Sequence, residues 1–114
     1  MAFQTTNHQT FALAATAVAV KTTPARVYAI TLVNNDTVNT GFLKMFNKKS
    51  SDVVVGTTVP DKILAVPANG QLILRGNDVP YNFTLALSVI ATTTLPTAGI
   101  IALTGGMYIE MEYV

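Results

Sequence analysis

The chain has 114 residues, of which 50% are hydrophobic and only 11% are charged, with a formal net charge of +1. This length suffices for one domain with a buried core, but the charge does not supply the basic patch that nucleic-acid binding requires. The absence of cysteine excludes disulfides and thiolate metal sites. Since few charged side chains are available for the surface, we expect threonine and asparagine, or other subunits, to cover much of it.

The first ten residues, 1–10, are polar and show no periodicity. They predict an N-terminal arm that is disordered alone or ordered on a neighbouring molecule. The apolar run that follows, 11–20, is shorter than the roughly 20 residues of a membrane span, and Lys21 follows this run where a signal peptide has its basic residue before it. We therefore predict no membrane segment and no secretion, and assembly in the cytoplasm.

Short segments of alternating hydrophobicity predict strands along the rest of the chain. In 11–20 the parity changes near Ala15, which indicates a bulge or a break between two strand halves; the alternative, a helix, is disfavoured by several β-branched residues. Pro67 to Gly70 predicts a hairpin turn between two strands. The cleanest alternation, in 83–91, predicts one strand with Phe83, Leu85 and Leu87 facing the core. The predicted strands after residue 20 are 25–33, 41–47, 62–66, 71–75, 83–91 and 107–114, with 53–55 as a possible edge strand.

Seven to eight short strands, with turns rich in glycine, proline and asparagine and no convincing helix, predict a single all-β domain over residues 11–114. The fold expected from this pattern is a two-sheet antiparallel β-sandwich with an extended N-terminal arm. Both a jelly roll and an immunoglobulin-like topology fit the pattern. The alternation does not distinguish between them.

The residue types that carry catalysis are few and scattered. The single histidine, His8, lies in the predicted arm, and Glu110 and Glu112 lie two residues apart on one strand face, which is more typical of solvation than of an acid–base pair. The aspartates lack the spacing of a calcium loop, so a calcium ion shared between subunits is only an alternative. We therefore predict no enzymatic activity, no cofactor and no metal site.

Two kinds of segment indicate interaction with other molecules. One is the polar arm; the other is the loop 95–103, whose apolar residues show no strand periodicity, as in many interfaces. The alternative for this loop is that its apolar residues pack under the sandwich edge or form one more strand. The only local basic cluster is Lys44, Lys48 and Lys49, and it favours a solvated strand end and turn over a phosphate site. The candidate interface residues are Phe3, Gln4, Asn7, His8, Lys48, Lys49, Leu95, Ile100, Ile101 and Leu103.

Several short motifs follow one another in a fixed order along the chain. They are Leu43-Lys44-Met45-Phe46-Asn47, Gly56-Thr57-Thr58-Val59-Pro60, Val66-Pro67-Ala68-Asn69-Gly70, the strand from Phe83 to Val89, and the final strand 107–113. These motifs resemble those of small β-sandwich virion structural proteins of tailed bacteriophages, and the resemblance covers about residues 25–114.

The resemblance implies a capsid decoration (cement) protein on the outer surface of the virion. Such proteins commonly form trimers and bridge neighbouring subunits of the major capsid protein. The implied partners are therefore the major capsid protein and further copies of this chain, as a homotrimer. The alternative is a head- or tail-fibre component or a carbohydrate-binding β-sandwich module, for which Tyr28, Tyr81 and Tyr108 are the candidate sugar-stacking residues.

Overall fold

A computed structural model describes residues 5–75, 81–93 and 100–114 of the chain. These ranges contain nine strands and one turn of 3-10 helix at Ser50–Asp52. The strands form two antiparallel sheets that pack together, which confirms the predicted β-sandwich with nine strands where seven to eight were expected. In chain order they are β1 (Thr6–Leu13), β2 (Val18–Lys21), β3 (Ala25–Asn34), β4 (Gly41–Phe46), β5 (Lys62–Val66), β6 (Gln71–Arg75), β7 (Tyr81–Phe83), β8 (Leu87–Thr92) and β9 (Met107–Tyr113).

The strand order decides between the two topologies that the sequence left open. Sheet A has the order β1-β9-β3-β6, with β7 also paired to β3, and sheet B has the order β2-β8-β4-β5. Most consecutive strands lie in opposite sheets, so that the chain crosses the sandwich at nearly every turn. Apart from β7, the strands form two four-stranded sheets wound as a jelly roll. An immunoglobulin-like order is therefore ruled out.

The hydrophobic core lies between the two sheets and follows the predicted alternation in several strands. Leu43 and Met45 of β4 are completely buried in it, as are the alternate residues Met107, Ile109 and Met111 of β9. These side chains share one face of each strand because side chains two apart point to the same side of a sheet.

The first strand begins at Thr6, so the prediction of an arm over 1–10 is wrong for its second half. Residues 6–10 pair with β9, with Thr6 opposite Tyr113 and Gln9 opposite Glu110. This strand lies at the edge of sheet A and carries polar side chains, so it lacks the apolar alternation by which strands are recognised. Residues 1–4 lie outside the described ranges.

The predicted break near Ala15 is confirmed, and it separates strands of different sheets. Residues 14–17 connect β1 in sheet A to β2 in sheet B, and the backbone N–H of Ala91 donates to the carbonyl of Ala14 at 3.0 Å. Gly106 lies against the end of β1 with φ +71°, where a Cβ atom would approach the Ala12 backbone to 2.8 Å. Glycine is required there because both the backbone conformation and the close contact exclude a side chain.

The stretch 83–91 is not one strand. It crosses from β7 in sheet A to β8 in sheet B through residues 84–86, and Leu85, predicted to face the core, is 66% exposed. The side chain of Asn47 holds this crossing. Its Oδ1 accepts the backbone N–H groups of Leu85 and Ala86, and its Nδ2 donates to Thr84 Oγ1. The polar contacts of a distant asparagine therefore override the local alternation.

The predicted hairpin around Pro67 to Gly70 is also wrong, although the bounds of β5 and β6 are as predicted. The two strands lie in different sheets. Asn34 supplies bonds to this turn: its backbone N–H donates to Gly70, and its side-chain Nδ2 donates to the carbonyls of Val66 and Pro67. A short turn of this kind can join two strands of one sheet or two strands in different sheets. Contacts from another loop determine which of these two connections forms.

The outer face of sheet B is buried along its two central strands, β8 and β4. Lys44, predicted as part of a solvated basic cluster, has no exposed surface, and Phe46 and Ile90 beside it are 1% exposed. The 3-10 turn in the long connection between β4 and β5 contacts β8, and Ser88 Oγ donates to the carbonyl of Lys48 at 2.6 Å. Burial lowers the pKa of Lys44. Phe46 is buried and Phe42 half-buried in this layer, so the two rings contribute to a second apolar surface.

Candidate functional site

The ten predicted interface residues do not form one surface. Phe3, Gln4 and Leu95 lie outside the described ranges. Asn7 and His8 belong to β1 at the edge of sheet A. The others lie at the two ends of the sandwich.

At one end, Lys48 and Lys49 are exposed directly after β4 and border a depression of about 600 Å³. The exposed side chain of Leu85 also lines it, together with Asp52 and Ala86. We call these five residues the Lys48 surface. The hydrogen bonds from Asn47 fix residues 84–86 there, so an apolar side chain and two cations are held side by side on an ordered backbone.

At the other end, Ile100 and Ile101 are 60% and 61% exposed. We call this pair the Ile100 surface. The backbone N–H of Thr93, just after β8, donates to the carbonyl of Ile101 at 2.8 Å. The next apolar residue, Leu103, is 5% exposed and belongs to the core, so its prediction as an exposed interface residue is wrong. Its burial anchors the segment that presents the two isoleucines.

The strand β8 relates these two surfaces to each other. Ser88 near its start bonds to Lys48, and Thr93 just beyond its end bonds to Ile101. Because β8 runs straight between these points, the Lys48 surface and the Ile100 surface lie at opposite ends of the sandwich.

A third surface is the outer face of sheet A, where β1 and β9 meet. Asn7 and Gln9 of β1 both donate to the same carboxylate oxygen, Oε2 of Glu110, at 3.2 and 2.8 Å. The hydrogen bond from Gln9, and to a lesser extent that from Asn7, lowers the pKa of Glu110. The positive charge of Arg75 also lowers it. We call Asn7, Gln9, Phe11, Tyr108 and Glu110 the sheet-A face.

The aromatic rings of Phe11 and Tyr108 lie together on this face. Their centroids are 5.7 Å apart with the ring planes tilted by 41°, and Phe11 is 72% exposed. Cations lie near the rings of the other two candidate tyrosines: Lys62 Nζ is 4.6 Å from the ring centre of Tyr81, and Arg26 lies 5.7 Å from that of Tyr28. Of the three predicted sugar-stacking residues, Tyr108 thus has a ring partner exposed to solvent.

His8 differs from the solvated arm residue that was predicted. Its side chain is half-buried on β1, its Nε2 lies 2.9 Å from Thr10 Oγ1, and burial lowers the pKa of the imidazole. The histidine thus packs at the edge of the sandwich.

In the part of the chain that the structure describes, no group of three or more His, Cys, Asp or Glu side chains is placed to hold a metal ion. Nor do residues 5–75, 81–93 and 100–114 include a helix with the length and hydropathy to cross a bilayer.

Sequence reasoning missed Leu85 and Phe11 as surface residues. Leu85 followed the parity of a strand, and Phe11 belonged to an apolar run that looked like core. For Phe11 the available signal was weak: it has the parity of Asn7 and Gln9, so recognising β1 as one strand places all three on one face.

Comparisons of the chain with protein-family models, with curated proteins and with solved structures find no match.

Proposed function

We propose that this protein is a bacteriophage virion structural protein of the capsid-decorating kind. It would bind the outer shell and bridge neighbouring subunits of the major capsid protein. The observation that carries the proposal is that apolar side chains are exposed at opposite ends of one sandwich, Leu85 at one end and Ile100 with Ile101 at the other. A bridging protein needs two separate contacts, and exposed apolar side chains at the two ends supply one candidate for each.

The architecture supports the same proposal. The jelly roll recurs in viral capsid domains, although this fold also hosts other functions. Only 11% of the residues are charged, which is few for the surface of a small monomer but suits a protein whose surface is partly covered in an assembly. Symmetry multiplies modest individual contacts in such an assembly.

The two end surfaces suit different partners. The Lys48 surface combines cations with an exposed leucine and suits an acidic, partly apolar patch on the shell. The Ile100 surface is apolar and uncharged, which suits contacts between identical copies. We therefore assign shell binding to the Lys48 surface and self-association, as a homotrimer, to the Ile100 surface.

Light scattering after size exclusion tests self-association. We expect the mass of a trimer for the unmodified chain and a shift to monomer for the double variant Ile100→Ser, Ile101→Ser. The matched control is Val54→Ser, Val59→Ser, which removes two valines that are 58% and 70% exposed elsewhere on the surface. A chain that stays monomeric at high concentration argues against self-association.

Co-sedimentation with capsids of the virus that encodes this chain, prepared without it, tests shell binding. We expect the unmodified chain to pellet with the capsids and the double variant Lys48→Glu, Lys49→Glu to stay in the supernatant. The control Lys21→Glu changes a lysine on β2, outside the Lys48 surface. If no binding to these capsids occurs, the decoration function is wrong.

A further inference from the structure

The sheet-A face is not used by the decoration contacts proposed above, and it combines features that those contacts do not require. We propose that this face binds a neutral saccharide chain. Phe11 and Tyr108 would form the stacking platform, and Glu110 with Asn7 and Gln9 would bind the hydroxyl groups. This inference goes beyond the proposed function and is independent of it.

The aromatic part of the face is fixed and accessible. Phe11 on β1 and Tyr108 on β9 project from neighbouring paired strands, and Phe11 exposes 72% of its surface. A phenylalanine exposed to this degree loses burial energy unless a partner covers it. The ring face carries a negative quadrupole, which attracts the polarised C–H groups on the flat side of a sugar ring.

The polar part of the face is arranged around one carboxylate. Asn7 and Gln9 both donate to Oε2 of Glu110, and no donor among the described residues reaches its Oε1. The Gln9 amide also lies 3.5 Å from the hydroxyl of Tyr108, so the amide, the carboxylate and the aromatic platform are contiguous. Carboxylate and amide groups held in place offer both acceptors and donors to sugar hydroxyls, with little entropy lost on binding.

The charge of the face selects among saccharides. Glu112 lies next to Glu110 on the outward side of β9. Ala29 of β3 lies between Glu112 and Arg75 of β6, because it pairs with both. Two carboxylates and one guanidinium leave a net negative face. It therefore disfavours saccharides that carry uronic or sialic acids, and a neutral chain is the ligand that fits.

The neighbouring strand carries small side chains beside the carboxylates. Ala29 and Thr31 of β3 lie opposite Glu112 and Glu110. Their small side chains lie beside the carboxylates, and Val33 of the same strand lies opposite Tyr108. A second copy of the chain is a weaker fit, because hydrogen-bonding groups outnumber exposed apolar ones on this face.

Affinity electrophoresis in gels that contain one polysaccharide each tests the proposal. The neutral probes are dextran, yeast mannan, barley β-glucan and galactomannan, and alginate is the acidic probe. We expect at least one neutral polysaccharide to retard the protein and alginate to leave its mobility unchanged. Retardation by alginate alone, or by none of the five, overturns the proposal.

Substitutions of one residue separate ring stacking from general hydrophobic contact. Phe11→Leu keeps the apolar area but removes the ring, so we expect roughly tenfold weaker retention, whereas Phe11→Tyr should stay within about twofold of the unmodified chain. Val59→Ala is the control for an exposed apolar residue outside the face. Equal retention of Phe11→Leu and the unmodified chain contradicts the stacking platform.

The polar half of the site and the competing occupant are tested with the same gels. Gln9→Ala should weaken retention because it removes the amide that orders Glu110. Light scattering of Phe11→Leu should give the mass of the unmodified chain. A fall in mass would identify the face as a contact between copies and would overturn the saccharide site. Loss of capsid binding in Lys48→Glu, Lys49→Glu would not affect the saccharide site.

Discussion

The carboxylate of Asp36 accepts the backbone N–H of Thr104 at 3.0 Å across 68 residues of sequence. The same carboxylate accepts the backbone N–H groups of Val38 and Asn39 at 2.8 and 2.9 Å. Its own backbone carbonyl accepts the N–H of Asn69 at 2.8 Å. One buried residue thus ties together the three loops β3–β4, β5–β6 and β8–β9 at the end of the sandwich that carries the Ile100 surface.

The first prediction concerns the stability that Asp36 provides. Asp36→Asn keeps the size of the side chain but puts an amide N–H₂ where two donors converge, so one buried donor loses its acceptor. We expect the melting temperature at pH 7 to fall by roughly 5 °C or more. Circular dichroism measures this, with Asp52→Asn, in the exposed 3-10 turn, as the control. Equal melting temperatures for the two variants would contradict the role of Asp36.

The second prediction concerns how the contribution of Asp36 to stability changes at acid pH. Hydrogen bonds from Asn39 and Val38, with a further one from Thr104, hold the pKa of Asp36 well below its usual range. A depressed pKa in the folded state means that the stabilisation is complete above the unfolded pKa of about 3.9 and is lost as the pH falls through the lower folded value.

We therefore expect the stability difference between the unmodified chain and Asp36→Asn to be constant from about pH 5 to 7 and to narrow below about pH 4. Urea unfolding at a series of pH values measures this difference. A gap that widens on acidification would show that another group controls the acid response.

The third prediction concerns the crossing between the sheets. Asn47→Ala removes the acceptor of two backbone N–H groups, those of Leu85 and Ala86. We expect a loss of about 1–2 kcal/mol in the free energy of unfolding. Chemical denaturation measures it, and Asn82→Ala, at an exposed asparagine of β7, should stay within about 0.5 kcal/mol of the unmodified chain.

The fourth prediction concerns His8, the only histidine of the chain. Burial lowers its pKa, because the charged imidazolium loses hydration at the sheet edge. We expect its NMR resonances to titrate below pH 6.5 in the folded protein and near 6.5 in urea. Because the unfolded chain binds this proton more tightly than the folded protein, the free energy of unfolding falls as the pH drops below about 6.5. Titration at or above the value in urea would instead place His8 in solvent.

Some residues of the sheet-A face and of the two ends of the sandwich were predictable from the sequence, and others were not. Lys48 and Lys49 were predicted at the end of a strand and lie there, exposed. The role of Asn47 was not predictable, because its partners lie about 38 residues further along the chain and nothing local marks them. The pairing of Phe11 with Tyr108 depends in the same way on the register between the first and last strands.

The sequence by itself determined that this chain is an all-β sandwich. Alternation at period two marked β3, β4 and β9, and the turn residues gave the bounds of β5 and β6. These features are local: they depend on the side-chain direction and the backbone conformation of neighbouring residues.

Only the tertiary structure decided which sheet each strand joins. Residues 62–75 were read as a hairpin and residues 83–91 as one strand, yet both stretches cross the core. The crossings are fixed by Asn34, Asp36 and Asn47, whose hydrogen bonds reach loops that are distant in sequence. A turn has much the same local chemistry whether it joins strands of one sheet or of two, so the choice depends on these long-range contacts and on the burial they permit.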